Sequence, residues 1–152
     1  MTPRDIGTTL YQLEQLMYGY NYEVKFGIDF FDHCTNLEAF KAALKKAYPN
    51  SQPDEITLVP MSLDDFWEEI NFGLDYRGDT WAGLSLNQER EEKLKQRQKE
   101  YKEYISSFIN HNTTIYNYPD EKGIPGYPVF WDYRFVLLSE GKCLFIYGSA
   151  SD

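Results

Sequence analysis

Val129–Leu138 reads VFWDYRFVLL, Ser139–Lys142 reads SEGK, and Cys143–Tyr147 reads CLFIY. The two outer runs are rich in β-branched and aromatic residues, and a Glu140-Gly141 step separates them, so the stretch reads as a β-hairpin. With Glu140 and Gly141 as the turn, Leu138 faces Cys143, Val136 faces Phe145 and Arg134 faces Tyr147 on one side. Leu137 with Leu144, Phe135 with Ile146, and Tyr133 with Gly148 share the other. Near the turn both sides are apolar, which predicts a hairpin buried on two faces. Farther out, Asp132 and Arg134 make one face polar. The rest of the chain is expected to pack on this hairpin of about 129–148.

Upstream, Leu10, Leu13, Leu16 and Met17 recur at helical period and predict a helix over Thr8–Tyr18, with Gly19 as its stop. Val24, Phe26, Ile28 and Phe30 alternate with Glu23, Lys25, Gly27 and Asp29, a strand pattern. Thr35 and Glu38 have capping-box spacing before a helix over Leu37–Tyr48, with Leu37, Phe40, Ala43, Leu44 and Ala47 inward and Pro49 beyond it. Glu55–Val59 reads as a short strand that Pro60 ends or places at an edge. Ser62 and Asp65 repeat the box ahead of a helix over Leu63–Phe72, with Phe66, Trp67, Ile70 and Leu74 inward. Gly73–Ser85 reads as a loop. Ser85 and Gln88 then open the longest helix, about 86–110, whose thin stripe is Leu94, Tyr101, Ile105 and Phe108. Its polar first half either lies on the body by one narrow seam or projects as an arm. Thr113–Tyr118 is a strand candidate. Pro119–Pro128 is a connector flanked by Tyr118-Pro119 and Tyr127-Pro128, two bonds where a cis peptide is worth checking. The expectation is one α+β domain over 1–152: a mainly antiparallel sheet, the terminal hairpin, and three to four helices.

The 152 residues carry a net charge of −9, and the acidity is uneven. Residues 1–85 hold 14 acids against 6 bases, whereas 86–152 hold 10 against 9. Nucleic-acid binding needs a basic footprint, and an anionic membrane surface needs the same, so neither is expected. An acidic balance steers toward a basic protein. The N-terminus has no basic segment followed by an apolar run, and no stretch reaches the length of a membrane span, which points to the cytoplasm. Cys34 and Cys143 sit among apolar residues and read as buried thiols.

Catalytic patterns are sparse. Phosphate-cradling glycine loops, HExxH and G-x-S-x-G are absent, and Arg77-Gly78-Asp79 reads as a chance tripeptide. Asp29, Asp32, His33 and Cys34 have ligand chemistry, but consecutive residues of an extended chain point to opposite sides, so no metal is expected. No cofactor is implied. Asp75 and Asp79 could pair as acids, though no separation is readable. Two functional readings follow. The first is a small acidic protein-binding domain, with the character of an immunity- or inhibitor-type protein, that occludes a basic partner. Its expected contact surface is Asp64, Asp65, Glu68 and Glu69 with Asp75, Asp79 and Trp81, although Trp81 reads first as an anchor folded into the core. The second is a small enzyme or ligand-binding protein with a polar pocket using His33, Cys34 or His111.

Overall fold

A computed structural model describes residues 6–78 and 86–152. The terminal hairpin is its centre. Trp131–Ser139 (β4) and Lys142–Ser151 (β5) pair antiparallel in the expected register, Leu138 opposite Cys143 and Phe135 opposite Ile146. Glu140 and Gly141 have φ of 51° and 80°. Positive φ at both turn residues is the two-residue turn whose twist matches paired strands.

Glu23–Phe31 (β1) adds to the outer side of β5, and Thr114–Asn117 (β3) adds to β4. Val59–Met61 (β2) closes the far edge, giving an antiparallel sheet in the order β1-β5-β4-β3-β2. Pro60 lies in that edge strand, opposite Tyr116, and an edge is where a sheet tolerates proline. The strand expected at Glu55–Val59 is therefore displaced toward the C-terminus. Pro53–Glu55 forms a 3-10 turn instead, because Pro53 favours turn entry, and Leu58 drops into the core.

Four helices flank the sheet among the described residues. Ile6–Leu16 (α1), Leu63–Asp75 (α3) and Gln88–Phe108 (α4) cover one face, and Leu37–Ala47 (α2) covers the other. On the first face Leu13, Phe66, Ile70, Leu94 and Ile105 pack with Phe26, Phe135 and Ile146. On the second, Phe40 and Leu44 of α2 pack with Val136, Cys143 and Phe145. Near the turn both sides of β4 and β5 are thus buried.

Two caps differ from expectation. Asn36, not Thr35, caps α2, its side chain accepting from the Ala39 N–H at 2.8 Å. Asn87, not Ser85, caps α4 through the Arg90 N–H at 2.9 Å. Asn equals or exceeds Ser and Thr at this position, and in each case the cap lies nearer the first apolar turn. Ser62 caps α3 as expected, through the Asp65 N–H. Ala47 is exposed rather than inward, because α2 buries only Phe40 and Leu44 fully. The long helix lies along α1 rather than projecting from it: Thr9 Oγ1 donates to Glu100 at 3.1 Å, and Arg90 donates to the Gln15 carbonyl. Its seam includes a polar residue, Gln98, whose amide donates to the Leu74 carbonyl at 2.7 Å and so satisfies an end of α3. The peptide bonds of the described residues, those at Pro119 and Pro128 included, are trans. No helix among these residues is long and apolar enough to cross a membrane.

Candidate functional site

α3 presents its acids to solvent. Asp64, Asp65, Glu68 and Glu69 are all exposed, and with Phe72 they form one stripe at i, i+1, i+4, i+5 and i+8. Phe72, 59% exposed, is one of several large apolar side chains left at the surface, and it stands beside these acids. Met61, Asp65, Glu68, Glu69 and Phe72 line one shallow groove. Glu69, Phe72, Phe130, Trp131 and Asp132 line a second, adjoining hollow. The two share Glu69 and Phe72, so they make one continuous surface.

The sheet leaves room for the hollow. β3 pairs with β4 only from Phe135 to Leu138, and Tyr118 adds one more bond to the Arg134 carbonyl. Trp131–Tyr133 is bonded on the β5 side alone among the described strands. Phe130 enters this strand by donating its N–H to the Ala150 carbonyl at 3.0 Å.

The aromatic floor is locked from beneath. Trp131 Nε1 donates to Tyr22 Oη at 2.9 Å, and burial pushes the Tyr22 hydroxyl pKa up to about 12. The Trp131 ring lies so close to Gly73 that a Cβ there would sit 2.9 Å from it. Ring centroids step from Phe72 to Tyr76 at 5.9 Å, from Tyr76 to Phe130 at 5.8 Å, and from Phe130 to Tyr22 at 5.7 Å. The exposed ring is therefore the outer end of an aromatic chain rooted in the core.

The electrostatics are one-sided. The Glu69 carboxyl is held above the usual range first by its partial loss of water, then by the negative charges of Asp132, Asp65 and Glu68. Asp132 has a cation of its own, Arg134, at 2.6 Å. Among the described residues no ion pair reaches Asp64, Asp65, Glu68 or Glu69.

Of the expected surface residues, Asp65, Glu68 and Glu69 are brought together, with Asp64 beside them on the helix. Asp75 is exposed at the other end of α3 and lines neither hollow. Asp79 and Trp81 lie outside the described residues. Met61, Phe72, Phe130, Trp131 and Asp132 were not among the expected surface residues. Phe72 alone carried a local signal, an aromatic three and four residues beyond the acids of the same stripe.

The alternative residues sit at one end of the sheet. His33 is exposed, at φ 53°, with its neighbour Asp32 at 3.9 Å. Cys34 is buried, its thiol 3.9 Å from the Asn36 carbonyl, and the Cys143 thiol approaches the Cys34 carbonyl at 3.7 Å. Both thiols are free, and burial holds Cys143 well above the ordinary thiol range, which disfavours the nucleophilic thiolate. His111 is exposed in the turn after α4. Among the described residues no group of three or more His, Cys, Asp or Glu is placed to hold a metal ion.

A further polar cluster lies beneath α2. Tyr48 Oη donates to Asp29 Oδ2 at 2.5 Å, and the Tyr147 hydroxyl is 3.4 Å away. Burial raises the Asp29 pKa, and the Tyr48 bond offsets part of that. The folded state therefore binds this proton more tightly than the unfolded chain. Its stabilising contribution is present at low pH and is lost as pH rises from about 4 through the folded value. Asp29→Asn still accepts from Tyr48 but does not titrate. Its stability relative to wild type should climb between pH 3.5 and 7 in urea melts. A flat or falling difference would show that burial does not govern this carboxyl.

No protein-family model matches the sequence, and no curated protein matches it. The fold does have solved neighbours. The chain is similar to citrus MAF1 in its C 2 2 21 crystal form, with a TM-score of 0.64 and 10% identity over 97% of this chain and 99% of that one. Against the P 31 2 1 form of citrus MAF1 the TM-score is 0.58, again at 10% identity, over 95% and 97% of the two chains. At that identity the likeness shows that the two proteins share a fold.

Proposed function

We propose that this chain is a protein-binding domain that occludes a basic partner protein, in the manner of an immunity- or inhibitor-type protein. The observation that carries the reading is the joined surface along α3, where acids with no ion-pair partner among the described residues surround an exposed aromatic ring. Acids of one sign raise the encounter rate with a basic partner, and desolvated aromatics supply the anchoring energy. The free, buried thiols suit a reducing compartment such as the cytoplasm.

The test is charge reversal. The protein is immobilised and a basic partner is captured from the host lysate at low salt. Association with the purified partner is then timed for wild type and for the combined D64K, D65K, E68K and E69K variant. The variant should associate at least about tenfold more slowly at low ionic strength, with the gap shrinking as salt rises. A matched reversal of the exposed acids Glu38, Asp54, Glu55 and Glu121 controls for net charge. Equal rates for the α3 variant and wild type would remove α3 from the interface.

A further inference from the structure

The hollow at the end of the acidic stripe differs from the rest of it. Glu69 and Phe72 come from α3, Phe130 from the segment entering β4, and Trp131 and Asp132 from β4 itself. We infer that this hollow is a seat for a single cationic side chain, a lysine or arginine of the partner, held over the Phe72 and Phe130 rings and against the Glu69 carboxylate. The inference rests on the reading of α3 as a partner-binding face and names what that face takes hold of.

Three observations select a cation. Aromatic ring faces carry negative potential and attract ammonium or guanidinium groups within about 6 Å of the ring centre. Phe72 is mostly exposed, and Phe130 is only partly covered. Next, the charge inside the hollow is unbalanced. Asp132 is answered by Arg134, whereas Glu69 faces Asp132, Asp65 and Glu68 and has no cation among the described residues. A neutral apolar side chain placed here would strip water from Glu69 and return nothing, whereas a cation answers both the carboxylate and the rings. Finally, the floor is already ordered. Trp131 is fixed by its bond to Tyr22 and by the close approach of Gly73, so binding does not have to immobilise it. The aliphatic stem of a lysine or arginine would cover Phe72 while its head meets Glu69.

The seat also divides the work of the surface. The wider groove of Met61, Asp65, Glu68 and Glu69 acts through long-range attraction, which salt screens. The hollow acts at contact, through desolvation and ring geometry, and screening weakens it less.

The experiment titrates the isotope-labelled full chain with two blocked pentapeptides, Gly-Gly-Lys-Gly-Gly and its norleucine analogue, and follows backbone amides and the Trp131 indole by NMR. The lysine peptide should give saturable shifts centred on Phe72, Phe130, Trp131 and Asp132, and the norleucine peptide none. Phe72→Ala and Glu69→Gln should each weaken binding about three- to fivefold, with Glu92→Gln on the exposed side of α4 without effect. Circular dichroism confirms that the variants keep the fold. Shifts spread evenly along α3 and insensitive to Phe72→Ala would reduce the site to a diffuse ionic atmosphere and overturn the seat, and so would absence of saturation or equal binding of norleucine. These results are separable from failure of the parent reading. If α3 charge reversal slows the partner but Phe72→Ala does not weaken it, the face stands and the seat falls. If charge reversal has no effect, the face itself is wrong.

Discussion

Gly27→Ala should destabilise the protein by about 3 kcal/mol, a large share of the ~5–15 kcal/mol that holds a domain together. Gly27 lies directly opposite Tyr147 across the β1–β5 ladder. An added Cβ would sit 2.0 Å from Tyr147 Cζ and 2.3 Å from its hydroxyl oxygen. The ring has little room to retreat, because Tyr48 meets it edge-on at 6.1 Å and Phe145 stands at 5.8 Å. Relief would require moving Tyr147 away from Tyr48 and Asp29, dismantling the polar cluster beneath α2. The decisive measurement is a double-mutant cycle in denaturant. Tyr147→Ala should cost about 3 kcal/mol by itself through lost burial. In that background Gly27→Ala should become neutral or stabilising by up to about 1 kcal/mol, since alanine orders a strand better than glycine. An unchanged cost without the Tyr147 ring would show that the backbone, not the ring, demands glycine here.

The second large effect belongs to the opposite face. The hydroxyls of Tyr101 in α4 and Tyr133 in β4 meet at 2.6 Å, and both side chains are buried. Burial is the main cause that raises both phenol pKa values, so both remain neutral hydrogen-bonding groups. Removing one hydroxyl strands the other without water. Tyr101→Phe and Tyr133→Phe should therefore each cost about 1–3 kcal/mol, the price of a buried unsatisfied polar group. The double variant removes both hydroxyls together and should cost no more than either single change. Additive losses in urea melts would mean that each hydroxyl has another partner, and the pair would lose its place as the link from the long helix to the sheet.

How much of this was readable beforehand follows from the range of each interaction. The hairpin register was legible because a two-residue turn pins every pair downstream of it, and the period-2 pattern forbids a one-residue slip. The helices were legible from their apolar stripes. Their exact starts were not, since Thr35 and Asn36, or Ser85 and Asn87, offer caps of similar strength. Gln98 escaped notice because a buried glutamine looks like a surface one until the Leu74 carbonyl is set against it. Strand order likewise waited on the fold: nothing local says that β1, far from the hairpin in sequence, completes the β5 edge while β3 and β2 extend the other.

The candidate site divides along the same line. By itself the sequence determined that the first half of the chain is acidic and that Asp64, Asp65, Glu68 and Glu69 share the outer face of a helix, because helical period is a property of neighbours. Only the tertiary structure decided that this face ends in a ring-lined hollow. Phe130, Trp131 and Asp132 reach Glu69 and Phe72 across some sixty residues of chain, through the packing of α3 against the first residues of β4. That packing depends on Gly73 admitting the Trp131 ring and on β3 stopping short of it, and contacts so distant in sequence leave no period to read.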